Sequence, residues 1–171
     1  MRTRRMAVLA LALVGAAVIQ STVLSHPILL GGRPDLVILL VVTFSVVQGV
    51  SEGLLAGIFG GMAVDLLSGT PFGSATLGMM LIGALTGLGN SNVYRANVLI
   101  PLVAVFLATV VYHSFLMLAL QANGRAVEWI STLAIQTIPV AALNAILTPV
   151  AFYVIRKLVI PDNGAEERLG W

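Results

Sequence analysis

The fold of this chain is decided by the stretch Gly53-Leu-Leu-Ala-Gly57-Ile-Phe-Gly-Gly61-Met-Ala-Val-Asp65-Leu-Leu-Ser-Gly-Thr-Pro-Phe-Gly73. Its glycines and Asp65 are spaced four apart, and residues four apart lie on nearly the same side of a helix. Each step of four overshoots a full turn by about 40°, so these residues face one broad sector. Glycine stripes let helix backbones approach closely in lipid. We therefore predict that Gly53, Gly57 and Gly61 form a helix-packing face for a partner helix.

The composition predicts an all-α integral membrane protein. The 171 residues are 58% hydrophobic and 9% charged, with a mean hydropathy of +1.02, whereas soluble domains carry about a quarter of charged residues. We expect one polytopic membrane domain over residues 1–157 and a short cytoplasmic tail over 158–171. Cysteine is absent, which excludes disulfides and thiol chemistry. The basic residues do not cluster as a nucleic-acid interface requires.

Six apolar runs predict a bundle of six transmembrane helices. The first, fifth and sixth are long enough to cross a hydrocarbon core of about 30 Å. The second, third and fourth are short, and are either thin spans sheltered by the longer helices or parts of a hairpin that does not fully cross. The sheltered arrangement is favoured. The six runs are Met6–Leu24, Leu36–Val47, Gly53–Leu67, Ala75–Leu88, Val98–Leu120 and Ile130–Ile155.

The distribution of basic residues predicts that both termini are cytoplasmic. With six spans and the N-terminus inside, seven of the nine bases lie on the cytoplasmic side, in agreement with the positive-inside rule. Only Arg33 and Arg125 fall outside. The basic N-terminus precedes an apolar run of spanning length with no clear cleavage site, so we interpret this run as a retained first helix.

Asp65 is the most informative polar residue within the predicted spans. Ser68, Gly69, Pro71 and Gly73 follow it, as expected where a helix stops and the chain turns. One interpretation is a carboxylate that accepts hydrogen bonds from free backbone N–H groups of this turn. The other is an ion, proton or partner site. The structural interpretation is favoured.

Three further polar residues have predicted structural roles. His113 lies in the same half of the membrane as Asp65 by helical rise, and we hypothesise that the two share a hydrogen bond. Asn144, in a span that also contains Pro139 and Pro149, is expected to bond a freed carbonyl or a neighbouring helix. Asp35, after Arg33-Pro34, is expected to begin a helix near the positive end of its dipole.

Catalysis and cofactor binding find little support in the sequence. An intramembrane aspartyl protease needs two carboxylates, and Asp65 is the only acid well inside a predicted span. The pair Ser68-Gly69 follows two leucines rather than the setting of an intramembrane serine protease. We find no P-loop, no dinucleotide fingerprint and no cluster of metal ligands in the sequence. The chain is predicted not to be an enzyme and to need no cofactor.

The chain resembles the rod shape-determining MreD family. The resemblance rests on Arg33-Pro34-Asp35-Leu, on the pattern from Gly57 through Asp65-Leu-Leu-Ser68-Gly69-x-Pro71-x-Gly73, on Asn144 before Pro149, and on the basic exit Arg156-Lys157. It implies a non-catalytic subunit of the bacterial cell-elongation machinery, in the cytoplasmic (inner) membrane. The implied partners are the bitopic protein MreC and, through it, MreB filaments, RodA and a penicillin-binding transpeptidase. A second copy of the chain is another candidate partner.

The resemblance also implies a fold similar to the S-components of energy-coupling-factor transporters. That likeness supplies an alternative function, a substrate-binding subunit of a vitamin-type transporter. Such a carrier needs a ligand pocket near the outer face, and the predicted outer loops offer few polar or aromatic side chains for one. A proton or ion channel through Asp65 and His113 is a third alternative, with few polar residues to complete a relay.

Overall fold

The computed structural model describes residues 2–22, 33–89 and 99–159 as six helices. No strand occurs within these ranges, so the all-α prediction is confirmed for this part of the chain. Most of the loop 25–34 and of the tail 158–171 lies outside the described residues. The first five helices are α1 (Arg2–Thr22), α2 (Leu36–Gln48), α3 (Val50–Leu67), α4 (Ser74–Leu88) and α5 (Leu99–Ala122). The sixth, α6, consists of Trp129–Thr132, a π-helical turn Leu133–Thr137, and Ile138–Val159.

Among the described residues, three helices are long and apolar enough to cross a membrane. Their candidate spans are Val50–Leu67, Pro101–Ala122 and Trp129–Ile155. The prediction that the third span is short is therefore wrong. Helix α3 begins at Val50, before the predicted start, because Gly49 alone joins it to α2 and has a φ of 96° that favours glycine. The other apolar helices are shorter, at Met6–Thr22, Leu36–Gln48 and Ser74–Leu88. Within the described residues, the first run therefore falls short of the spanning length that the sequence predicts.

Helix α2 is the centre of the bundle. It contacts all five other helices, and nine of its thirteen residues are buried. Thirteen residues reach only about 20 Å, against about 30 Å for a hydrocarbon core. All five of the helices that it contacts are longer than α2.

Helices α3 and α4 form an antiparallel hairpin whose backbones are in contact at glycine. A Cβ atom built on Gly57 would lie 2.5 Å from the carbonyl oxygen of Met79. A Cβ atom built on Gly61 would overlap the backbone of Thr76. Neither position has space for any side chain, since these neighbours are backbone atoms that cannot rotate away.

The close approach is reciprocal along the whole hairpin. A Cβ atom on Gly53 would meet the carbonyl of Gly83, and one on Gly83 would meet the carbonyl of Gly53. Near the other end of α4, a Cβ atom on Gly87 would lie 2.7 Å from the Cα of Val50. Small residues four apart on both helices therefore interlock, as in other close membrane helix pairs.

This packing corrects the prediction that Gly53, Gly57 and Gly61 face a partner. The face packs a helix, as expected, but the helix is α4 of the same chain. A neighbouring face of α3 is also covered, because a Cβ atom on Gly60 would lie 3.0 Å from a side-chain carbon of Val37 in α2. The prediction fails because α4, which follows α3 after a single connecting loop, has glycines of its own that pack against this stripe.

Helix α6 departs from α-helical geometry just before its first proline. The N–H of Ile138 donates to the carbonyl of Leu133, five residues earlier, which defines the π-helical turn. Pro139 follows, and a proline ring has no N–H and clashes with the carbonyl four residues before it. A wider turn relieves this clash. Pro149 lies inside the regular helix that continues to Val159.

The glycine packing predicts that one substitution will have opposite effects at two helical positions. Alanine is favoured over glycine in helices by up to about 1 kcal/mol. Gly15→Ala, where a Cβ atom meets nothing within 4 Å, is therefore expected to leave stability unchanged or raise it. Gly57→Ala is expected to cost about 1–3 kcal/mol by overpacking the hairpin.

The measurement is the thermal unfolding midpoint of each purified variant in the same detergent. Gly15→Ala serves as the matched control, because it makes the same chemical change within a helix. Equal midpoints for the two variants would contradict the close packing of α3 against α4.

Candidate functional site

The carboxylate of Asp65, at the end of α3, caps the start of α4. Its Oδ1 accepts the N–H of Ala75 at 2.9 Å, and its Oδ2 accepts the N–H groups of Gly73 and Thr76 at 3.0 Å each. The Thr76 hydroxyl donates the fourth hydrogen bond of this carboxylate, also to Oδ2, at 2.6 Å. Asp65 is only 4% exposed, so these donors replace the water that the carboxylate loses.

This contact replaces an ordinary helix cap. The N-cap residue of α4 is Gly73, which has no side chain to accept the first N–H groups. Asp65 supplies that acceptor from the neighbouring helix, and its negative charge lies at the positive end of the α4 dipole. The hydrogen bonds therefore support the structural interpretation of Asp65.

The turn between α3 and α4 positions the donors around Asp65. Ser68 ends α3, and its hydroxyl lies 2.6 Å from the Thr70 hydroxyl. Gly73 has a φ of 92°, which favours glycine at this point. Gly69 has open space around it, and its carbonyl accepts a hydrogen bond from Nη2 of Arg125 at 3.3 Å. Of the two motif glycines, Gly73 is the one that the backbone conformation requires.

A second buried polar cluster joins α2, α5 and α6 through Asn144. This residue is fully buried. Its Oδ1 accepts the backbone N–H of Asp35 at 2.9 Å, and its Nδ2 donates to Oγ1 of Thr109 at 3.2 Å. The Thr109 hydroxyl donates in turn to the carbonyl of Val105 at 2.8 Å. The contact to neighbouring helices that we expect of Asn144 is therefore present, and it reaches two helices.

Asp35 begins α2, as predicted, and lies beside His113. Its Oδ1 accepts the N–H of Ile38 at 3.1 Å. Its Oδ2 is 3.9 Å from Nε2 of His113, close enough for an ion pair when the imidazole is protonated. The predicted hydrogen bond between His113 and Asp65 is wrong, because Asp65 is directed at the start of α4. Helical rise predicts the depth of His113 but carries no information about which helix faces it.

For two residues of these clusters, the sequence analysis predicts no role. Thr76 contributes both its N–H and its hydroxyl to Asp65, and Thr109 is the partner of Asn144. The role of Thr76 can be predicted from the sequence, because it is the third helical residue after Gly73. An N-cap acceptor normally bonds the backbone N–H of the second or third helical residue. For Thr109 no local pattern distinguishes it from other threonines in apolar helices.

The two clusters hold helices together rather than presenting reactive groups. Each oxygen of Asp65 already accepts a hydrogen bond, and both polar atoms of the Asn144 amide are used. Among the described residues, no group of three or more His, Cys, Asp or Glu is placed to hold a metal ion. The geometry is that of two interhelical locks, one within the α3–α4 hairpin and one across α2, α5 and α6.

Removing the charge of Asp65 is expected to loosen the α3–α4 lock. In Asp65→Asn the amide nitrogen would face backbone N–H donors, so at least one hydrogen bond to a charged acceptor is lost, at a cost of about 2 kcal/mol. Thr76→Val should cost about 1 kcal/mol, because it removes only the hydroxyl donor. Glu128→Gln makes the same change at an exposed acid and is the control. Thermal unfolding midpoints in detergent provide the measurement, and an Asp65→Asn midpoint equal to that of Glu128→Gln would exclude the cap.

The Asn144 lock predicts energetic coupling between α5 and α6. Asn144→Leu leaves the buried N–H of Asp35 without its acceptor and should cost about 1–3 kcal/mol. Thr109→Val should cost less. The double variant is expected to be less destabilised than the sum of the two by at least about 0.5 kcal/mol, because both changes remove the same hydrogen bond. A denaturation series on the four proteins measures this term, and strict additivity would show that the bond contributes nothing.

One of the comparisons with known proteins identifies a family. A family model described as rod shape-determining protein MreD matches residues 1–159 of the 171-residue chain. Neither the curated proteins nor the solved structures yield a match. The matched range includes all six helices and the residues of both locks, Asp65 and Asn144 among them. The chain therefore belongs to the MreD family of rod shape-determining proteins.

Proposed function

We propose that this chain is a non-catalytic membrane scaffold of the bacterial cell-elongation machinery. It crosses the cytoplasmic membrane six times with both termini in the cytoplasm, binds an MreC-like bitopic protein, and is linked through it to MreB, RodA and a penicillin-binding transpeptidase. Residues 1–157 are its membrane domain and 158–171 its tail. The observation that carries the proposal is the family match over residues 1–159, which assigns the chain a role in rod shape.

The use of the buried polar groups supports a scaffold over the other functions considered. Asp65 and Asn144, the residues most open to a catalytic or transport role, are occupied by interhelical hydrogen bonds. A channel through Asp65 and His113 loses its basis, because His113 lies beside Asp35. The family description names shape determination, which favours the scaffold over the vitamin-type carrier.

The packing of α3 limits where a partner helix can bind. Because α4 covers Gly53, Gly57 and Gly61, the MreC-like helix contacts an outward surface of the bundle. The α3–α4 hairpin then acts as part of the rigid body that the partner recognises. Substitutions inside the hairpin would affect binding only by disturbing this body.

The test combines cell shape with co-purification in the native bacterium. Depletion of the protein should turn rods into spheres, and the tagged wild-type chain should co-purify with an MreC-like protein from solubilised membranes. Gly15→Leu, on an open helix surface, should preserve both results. Gly57→Leu should lose both, since the hairpin cannot close around a leucine.

Two outcomes would reject the proposal. One is a culture that remains rod-shaped after depletion verified on immunoblots. The other is wild-type protein, monodisperse after purification, that carries no MreC-like partner under mild detergent conditions. A thermal-shift increase with a vitamin would instead favour the carrier.

A further inference from the structure

Two neighbouring helices of the bundle, α4 and α5, differ greatly in length. Helix α4 has 15 residues and α5 has 24, which corresponds to about 22 Å against about 36 Å at 1.5 Å per residue. A hydrocarbon core is about 30 Å thick, so α5 is long enough to cross it and α4 is not. Tilting a short helix only reduces the height that it covers, so tilt does not remove this difference.

The outer surface of α4 is made of leucine. The exposed residues of this helix are Leu77, Leu81, Leu85 and Leu88. Its glycines at 78, 83 and 87 are buried against the rest of the bundle. Helices that associate in lipid pack through small residues and polar side chains. Because none of the exposed residues of α4 is small or polar, this surface fits lipid chains rather than another helix.

Contacts between the two helices fix their relative level. At one end of the bundle, Nη2 of Arg125, three residues beyond the end of α5, donates to the carbonyl of Gly69 in the turn before α4. Near this end, a Cβ atom on Gly78 would lie 2.9 Å from Cδ1 of Phe115 and 3.1 Å from Cδ2 of Tyr112. The helices are therefore level at this end, and the difference in length falls at the other end.

Counting from the contact at Gly78 gives the size of the difference. From Gly78, α4 continues ten residues to Leu88, or about 15 Å. From Phe115 and Tyr112, α5 extends back 16 and 13 residues to Leu99, or about 20–24 Å. Helix α5 therefore extends about 5–9 Å beyond the end of α4. Leu88 is also the last aliphatic residue before a polar stretch of the sequence, Gly89-Asn-Ser-Asn92.

We propose that the bilayer beside α4 is thinner than the bilayer beside α5, so that the protein creates a step in membrane thickness along its own surface. A bilayer adapts to a short hydrophobic surface by thinning locally. Without thinning, the last carbonyl groups of α4, which have no intrahelical donors, would lie in hydrocarbon. The partner of this surface is therefore phospholipid with compressed or short acyl chains. The inference rests on helix lengths and contacts and is independent of the scaffold function.

Spin labels on two residues at the same level test the step. Leu88 on α4 is 72% exposed and Val103 on α5 is 56% exposed, and both lie about 15 Å from the contact at Gly78. The chain has no cysteine of its own, so Leu88→Cys and Val103→Cys each carry a single label. In dioleoylphosphatidylcholine vesicles at low protein density, the label at Leu88 should collide with a water-soluble nickel complex about three times as often as the label at Val103, because it lies nearer to water. Equal collision rates would show a bilayer of uniform thickness and overturn the proposal.

A change of lipid and a label in the middle of α4 provide the controls. In dimyristoleoylphosphatidylcholine, whose shorter chains make the bilayer thin everywhere, the difference between the two labels should disappear. A difference of the same size in both lipids would assign it to the protein surface instead of the bilayer and would contradict the step. Leu81→Cys should collide freely with oxygen, which dissolves in lipid. Shielding of this label from oxygen would show that a second copy of the chain covers α4, and would also overturn the proposal.

Discussion

The structure depends on how the backbone N–H groups at the starts of two short helices are satisfied. At the starts of α2 and α4, Asp35, Ser74 and Ala75 are buried, and the first N–H groups of a helix have no intrahelical acceptors. Each start meets a buried aspartate: Asp35 caps α2 from the preceding position, and Asp65 caps α4 from α3. Asn144 then fixes the Asp35 backbone from α6. These hydrogen bonds allow helices shorter than the membrane to lie within a bundle of longer ones.

The glycine stripe and the acid at its end work as one unit. Gly61 lies directly on the backbone of Thr76, and the same Thr76 donates its N–H and hydroxyl to Asp65. Because any side chain at Gly61 would separate the helices, it would also withdraw Thr76 from the carboxylate. The close approach therefore positions the donors, and the hydrogen bonds repay the burial of the charge. Neither feature is expected to hold the hairpin without the other.

Local sequence patterns predict much of this fold. The features that they do not predict are those that depend on contacts between helices. Apolar runs indicate six helices, Asp35 indicates the start of α2, and the turn residues indicate the capping role of Asp65. The partner of the glycine face, the neighbour of His113 and the role of Thr109 all depend on which helices pack together. A stripe of small residues spaced four apart indicates that another helix packs closely against it, but it does not indicate which helix. Likewise, counting the rise along a helix predicts how deep a residue lies in the membrane, but it does not predict which neighbouring helix the residue faces.

The buried polar groups of the bundle serve its internal packing. Inside the bundle, Asp65 and Asn144 fill their hydrogen-bonding positions with residues of the same chain. On the outer surface of α6, Gln136 is exposed and lies in the π-helical turn that precedes Pro139. A helix that only faced lipid would gain stability by replacing this glutamine with an apolar residue and this turn with a regular one.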